Sequence, residues 1–173
     1  RKGDVHATIS PSIDIQVSSN FERLLFELAD GNSDKVVSRM KMLEDSGMFL
    51  VGETALEKMR NEFSGRAVSE SETLGCMREF WETNNYIIDP HTAVGIVAGR
   101  ADSRINKNQH MVYLSTAHPA KFPDAVFDAT GINPDLPEHM SDLMLKDESY
   151  DILPNDQNIV QSYINGLAPD QGN

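Results

Sequence analysis

Apolar side chains recur every three or four residues along most of the chain, which predicts a structure built mainly from helices. The clearest example follows the small polar residues 18–20, which can cap a helix, and Gly31 can end it. Its apolar positions show the i, i+3, i+4, i+7 spacing of an amphipathic helix: Phe21, Leu24, Leu25 and Leu28. Before it, residues 5–17 alternate in polarity around Pro11, which predicts an extended or loop segment.

Boundary residues and apolar spacing place six further helices on the chain. Ser69 and Glu72 form an S-x-x-E capping box, and Asp89 with Pro90 is the expected N-cap and N1 pair. Pro119 can open another helix that Gly131 ends. The predicted helices span residues 33–47, 53–63, 69–84, 89–98 and 119–131, and a short one near 156–164 precedes a frayed tail from Ala168.

A single strand is predicted at residues 111–115, a short apolar run with polar residues on both sides. Because a helix follows at once, this strand and helix resemble the repeating unit of α/β folds. A buried parallel strand needs neighbours on both edges, and the chain offers none. We therefore interpret residues 1–173 as a fragment whose partner strands belong to sequence upstream of Arg1.

Composition and charge narrow the function classes. The 173 residues carry a formal net charge of −12, and the basic residues are scattered, which argues against binding to DNA or RNA. The apolar runs are far shorter than the roughly 20 residues of a membrane-spanning helix, so no membrane partner is expected. Cys76 is the only cysteine, so no intrachain disulfide can form, and we expect a cytoplasmic location.

Common catalytic motifs are missing. The five histidines lack H-x-x-x-H spacing and Cys76 has no second cysteine nearby, so no metal site is expected. Cys76 falls on the apolar stripe of a predicted helix and is interpreted as a core residue. Nucleotide-binding glycine motifs and the G-x-S-x-G motif do not occur either.

The turn after the predicted strand is the best candidate for a functional site. Ser115, Thr116, His118 and Lys121 cluster there, at the end of a strand where α/β sheets bind ligands. The alternative is that these side chains only cap the next helix. Ser19 and Asn20 likewise either line a site or cap the helix that follows them. Residues 89–92 are interpreted as a plain helix start.

Three of these segments closely resemble threonine synthase of the fungal and Gram-negative type. They are SPSIDIQVSSNFERLLFEL at residues 10–28, DPHTAVG at 89–95 and STAHPAKFPDAV at 115–126, in the family's order and at about its spacing. The resemblance implies an α/β structure of the tryptophan-synthase-β-like class, fold type II, of which this helix-rich chain is the C-terminal part. It also implies an enzyme that converts O-phosphohomoserine and water to threonine and phosphate with pyridoxal 5′-phosphate (PLP).

The family's A-F-K-D motif, whose lysine forms the Schiff base with PLP, has no counterpart here, and Lys121 lies outside such a motif. No catalytic residue is therefore assigned to this chain, which is expected to be inactive without the N-terminal part of the same enzyme. In fold type II enzymes a neutral hydroxyl from a strand end commonly faces the pyridine nitrogen of the cofactor, and the resemblance makes Thr116 the candidate. Ser115, His118, Lys121, Ser19 and Asn20 are candidates for lining the site.

Two alternatives remain. The chain could be a non-catalytic helical interaction module, whose acidity only solvates its surface. It could also come from another fold type II enzyme, such as a threonine dehydratase or a cysteine synthase. The lone strand tells against the first, and the segments SNFER and TAHPAKF tell against the second.

Overall fold

The computed structural model describes residues 3–102, 104–105 and 109–167 of the chain. It contains seven α-helices in this part: α1 (Ser19–Leu28), α2 (Ser33–Ser46), α3 (Glu53–Glu62), α4 (Glu70–Asn84), α5 (Pro90–Arg100), α6 (Pro123–Thr130) and α7 (Gln157–Leu167). Short 3₁₀ turns occupy Pro119–Lys121, Glu138–Met140 and Leu143–Leu145. The described residues form two compact units, one up to Asp135 and one from Leu136. The tail expected from Ala168 lies outside the described residues.

The first unit is built around the packing of α4, α5 and α6. Its buried core consists of Cys76, Met77, Ile88, Ala93, Ile96, Val126 and Ala129. Met77 and Val126 are fully buried, and Arg78 of α4 ties the end of α6 by donating from Nε to the carbonyl oxygen of Ala129 over 3.0 Å. The helices α1 and α2 pack against each other, and each has one buried leucine, Leu25 and Leu43.

Local capping chemistry explains why the three core helices begin and end where they do. The capping box predicted at Ser69 and Glu72 is confirmed, with both of its reciprocal hydrogen bonds present. The prediction of Asp89 as N-cap and Pro90 as N1 of α5 is also confirmed. Asn85 and Gly131 end α4 and α6 in left-handed conformations, at φ 50° and 73°.

The strand predicted at residues 111–115 is wrong for the described part of the chain, in which no strand is formed. The segment forms neither helix nor strand, and Val112 and Leu114 are 80% and 77% exposed, so it is not buried either. A strand requires a hydrogen-bonded neighbour, and no other described segment pairs with it. Tyr113, which is half-buried, turns inward and packs on the core.

The helix predicted to begin at Pro119 begins four residues later. Pro119–Lys121 forms a 3₁₀ turn, and Phe122 then has φ −134° and ψ 57°, outside the helical region. Phe122 precedes Pro123, and steric contact with a proline ring keeps the preceding residue out of the helical conformation. Pro123 therefore opens α6 as its N1 residue.

Candidate functional site

A cleft of about 500 Å³ lies in the first unit, between the segment that links α4 to α5 and the segment that leads into the Pro119 turn. Its size falls within the usual range for small-molecule sites. Its lining residues are Tyr86, Ile87, Ile88, Asp89, Ser115, Thr116, Ala117, His118, Pro119, Pro134 and Asp135. Thr116 and His118 remain exposed there, so their polar groups are accessible to a ligand.

Asp89 is the buried acid in the wall of the cleft, with 1% of its surface exposed. As the N-cap of α5 its Oδ1 accepts from the backbone N–H groups of His91 at 2.9 Å and Thr92 at 3.4 Å. The same oxygen contacts the imidazole Nδ1 of His91 at 3.0 Å, and Oδ2 accepts from the Thr92 hydroxyl. The carboxylate is thus satisfied from all sides, as a buried charge must be.

His91 is buried, and its hydrogen bonds define its tautomer. The backbone N–H of Ser12 donates to Nε2 of His91 over 3.2 Å, so Nε2 carries no proton. The neutral ring must then hold its proton on Nδ1, which donates it to Asp89. The ring of Phe122 packs against the imidazole with a centroid distance of 4.6 Å. His91 therefore joins the turn at residues 10–14 to the start of α5.

Thr92 connects the same carboxylate to the cleft segment. Its hydroxyl donates to Asp89 and accepts a long hydrogen bond, 3.4 Å, from the backbone N–H of Thr116. Since Thr116 follows a segment that has no paired strand in the described structure, this bond is part of what fixes the segment's position. The Thr116 amide is occupied by this contact, whereas its exposed side chain lines the cleft.

His118 presents a hydrogen-bond donor at the opposite end of this segment. Its Nδ1 accepts from the backbone N–H of Ala120 over 3.2 Å, which caps the 3₁₀ turn. With Nδ1 acting as the acceptor, the proton of the neutral imidazole lies on Nε2. The cleft is thus lined by a donor imidazole, the hydroxyl groups of Ser115 and Thr116, and the aromatic side chain of Tyr86.

The structure brings only some of the predicted site residues together. Ser115, Thr116 and His118 line the cleft together. Lys121 does not line it, and its Nζ lies 5.9 Å from the centroid of the Phe122 ring. Ser19 and Asn20 lie on separate shallow grooves beside α1, so the structure does not bring them to the cleft.

Sequence analysis missed the part of the site formed by Asp89, His91 and Thr92, which it interpreted as a plain helix start. One signal was present: the motif D-P-H-T places three hydrogen-bonding side chains in one turn.

Within the described ranges, no group of three or more His, Cys, Asp or Glu residues could hold a metal ion. No helix in the same residues is long and apolar enough to cross a membrane.

Comparisons with known proteins agree on one family. The family model for the C-terminal part of threonine synthase matches residues 92–164. Threonine synthase of Pseudomonas aeruginosa is 40% identical over 164 residues, which are 94% of this chain and 35% of that protein. That of Saccharomyces cerevisiae is 40% identical over 144 residues, 75% of this chain and 28% of that protein. Human threonine synthase-like 1 is 34% identical over 154 residues, 89% of this chain and 20% of that protein.

A solved structure gives the same answer for the fold. The crystal structure of PLP-bound threonine synthase from Brucella melitensis superposes with a TM-score of 0.76 and 41% identity, covering 95% of this chain and 35% of that one. The chain is therefore the helix-rich C-terminal part of an α/β structure of the tryptophan-synthase-β-like class, fold type II. Within that class, it belongs to the threonine synthase family. It spans about a fifth to a third of the length of the curated relatives that it matches.

Proposed function

We propose that the complete protein converts O-phosphohomoserine and water to threonine and phosphate with PLP in the cytoplasm, and that this chain supplies one wall of the cofactor cleft. The observation that carries the proposal is the position of Thr116. In a chain of this family, Thr116 lines a cleft of ligand size, on the matched segment STAHPAKF.

The residues of the cleft fit such a cofactor. The pocket of about 500 Å³ has room for a pyridine ring, and Tyr86 and Ile87 supply apolar surface beside it. Thr116 offers a neutral hydroxyl for the ring nitrogen, and a neutral partner leaves that nitrogen less protonated than a carboxylate would. When bound, PLP supplies the electron sink that stabilises a carbanion of the substrate.

His118 has a separate role in the proposal. Because Nδ1 accepts from the Ala120 amide, the proton of the neutral ring lies on Nε2, and in this proposal Nε2–H donates within the cleft. The substrate carries a carboxylate and a phosphate, and a donor imidazole at the cleft wall suits either anion. Ser115 lines the same wall with a second hydroxyl, whereas Lys121 contributes only positive charge near the site.

The rest of the catalytic site belongs, in this proposal, to the part of the enzyme that precedes the chain. That part supplies the Schiff-base lysine, so this chain alone has no activity. The segment at residues 111–114 supports the idea, because Val112 and Leu114 expose apolar surface that a sheet of an upstream domain would cover.

The direct test is a product assay on the complete protein loaded with PLP. With O-phosphohomoserine as substrate, phosphate and threonine should appear in equal amounts, and the 173-residue chain alone should form neither. Phosphate without threonine would contradict the proposed reaction and indicate a relative with a different outcome after elimination.

The role of Thr116 is tested by Thr116→Val and Thr116→Ser in the complete protein. We expect the valine variant to lose about tenfold or more in kcat while keeping its fold, and the serine variant to recover most of the loss, because serine keeps the hydroxyl. Thr83→Val, at an exposed position of α4, is the matched control and should behave like wild type. Unchanged kinetics in Thr116→Val would remove Thr116 from the site.

A further inference from the structure

The start of α5 carries a hydrogen-bonded group that we name the α5 cluster: Asp89, His91 and Thr92. We propose that the α5 cluster is a positioning device that holds the Thr116 segment at the geometry the cofactor cleft requires. This inference rests on the proposed function, since it concerns the residue proposed to face the cofactor. The cluster itself is not proposed to touch the reacting atoms.

The first observation is that Asp89 does more than cap a helix. An ordinary side-chain cap satisfies one or two backbone N–H groups, as Asn32 does for α2 with the N–H of Lys35. Asp89 in addition accepts from two side chains, the imidazole of His91 and the hydroxyl of Thr92. It does so with only 1% of its surface exposed, so all three residues are held in one arrangement.

The second observation is where the cluster leads. From Asp89, the Thr92 hydroxyl reaches the backbone N–H of Thr116. Because the hydroxyl hydrogen is committed to the carboxylate, an oxygen lone pair is left to face Thr116. The carboxylate thereby fixes the direction from which the Thr116 backbone is held.

The third observation is that His91 holds the far side of the same region. Its Nε2 accepts from the Ser12 amide, 79 residues away in sequence, and its ring packs on Phe122 just after the Pro119 turn. The cluster therefore contacts the cleft segment near its beginning, at Thr116, and just beyond its end, at Phe122. A segment held at two points by one buried cluster is fixed in both position and direction.

The test compares Thr92→Val and Thr92→Ser in the complete protein. Valine keeps the shape of threonine but removes the oxygen that Thr116 and Asp89 share, whereas serine keeps it. We expect Thr92→Val to lower kcat about tenfold with KM changed less than about threefold, to weaken PLP binding in an absorbance titration, and to shift the cofactor's absorption spectrum. Thr92→Ser should restore kcat, PLP affinity and spectrum to within about threefold of wild type.

Thr73→Val is the matched control. Thr73 is also a buried threonine in the first turn of a core helix, 2% exposed, and its hydroxyl donates to the carbonyl oxygen of Ser69 over 3.0 Å. It lies outside the cleft lining, so its loss should lower the melting temperature without changing kcat or the cofactor spectrum. If Thr92→Val also changes only the melting temperature, the α5 cluster is a helix cap and the inference is wrong.

A measurement of PLP binding distinguishes failure of this inference from failure of the proposed function. If the wild-type protein binds PLP but makes no threonine from O-phosphohomoserine, the reaction assigned above fails, yet the effect of Thr92→Val on PLP affinity still decides the role of the cluster. A nitrogen NMR spectrum of ¹⁵N-histidine-labelled protein gives a further readout, with His91 identified by its loss in His91→Gln. The inference requires His91 to be protonated at Nδ1 and not at Nε2, and the opposite tautomer would overturn it.

Discussion

Replacing Gly99 in α5 by alanine should destabilise the fold, because the side chains of Tyr113 and Met111 already occupy the space beside Gly99. A Cβ atom built on Gly99 would lie 2.8 Å from Cε1 of Tyr113 and 3.5 Å from the methyl carbon of Met111. Carbon atoms pack at about 3.5–4.0 Å, so Gly99→Ala forces the Tyr113 ring to move. Tyr113 packs on the core and lies three residues before Thr116, so the change should also disturb the cleft.

The expected change in the free energy of unfolding is the sum of two opposed contributions, helix propensity and overpacking. Alanine in place of glycine inside a helix gains up to about 1 kcal/mol. Overpacking a filled site costs about 1–3 kcal/mol. At Gly95, on the same helix, a Cβ would meet no atom from another part of the chain within 4 Å, so Gly95→Ala should show the gain alone. Because Gly99 lies in the last turn of α5, its propensity gain is no larger than that of Gly95, so Gly99→Ala should be less stable than Gly95→Ala by about 1–3 kcal/mol.

The free energy of unfolding can be measured by urea denaturation followed through the fluorescence of Trp81. It is the only tryptophan, and it lies on α4, which packs against α5. Replacing Tyr113 by leucine in the Gly99→Ala background should recover stability, because the atoms that clash are removed. Equal stability of the Gly99→Ala and Gly95→Ala variants would refute the packing argument.

Three further predictions concern other parts of the chain. Hydrogen bonds from Ser69, with a smaller contribution from Arg66, hold the pKa of Glu72 below its ordinary value. The stabilisation of the folded state by the charged Glu72 carboxylate is therefore present near neutral pH and is lost as the pH falls through the lowered pKa. Ser69→Ala should raise that pKa in an NMR titration, and an unchanged value would contradict the capping box. Burial raises the pKa of the Cys76 thiol, so a thiol reagent at pH 8 should modify it only after urea is added, and rapid modification of the folded chain would be inconsistent with the core. The 173-residue chain alone should self-associate in a sedimentation experiment through its exposed apolar surface, and a monomer at every concentration would count against an uncovered face.

Sequence patterns predicted the helices well because their boundaries depend on nearby residues. Ser69 with Glu72 and Asp89 with Pro90 each contain the groups that satisfy a helix N-terminus. The failed strand at residues 111–115 shows the limit of the same reasoning. Whether an apolar run forms a strand depends on a partner elsewhere in the protein, and no local pattern supplies that partner.

The candidate site also contains features that depend on nearby residues and features that depend on contacts between distant segments. The cluster of Ser115, Thr116 and His118 could be predicted, because one turn holds all three residues and its position after an apolar run suggested a ligand site. The tie between Ser12 and His91 could not be predicted, since it joins residues 79 apart and exists only because the turn at residues 10–14 packs on α5.

One measurement tests the proposed reaction most directly: product analysis by mass spectrometry after the complete, PLP-loaded protein has acted on O-phosphohomoserine in water labelled with ¹⁸O. The proposed reaction breaks the carbon–oxygen bond to phosphate and then adds water to the carbon skeleton. Threonine should therefore carry one ¹⁸O in its hydroxyl group, and the released phosphate should carry none. Labelled phosphate together with homoserine would reveal simple phosphate-ester hydrolysis and would contradict the account.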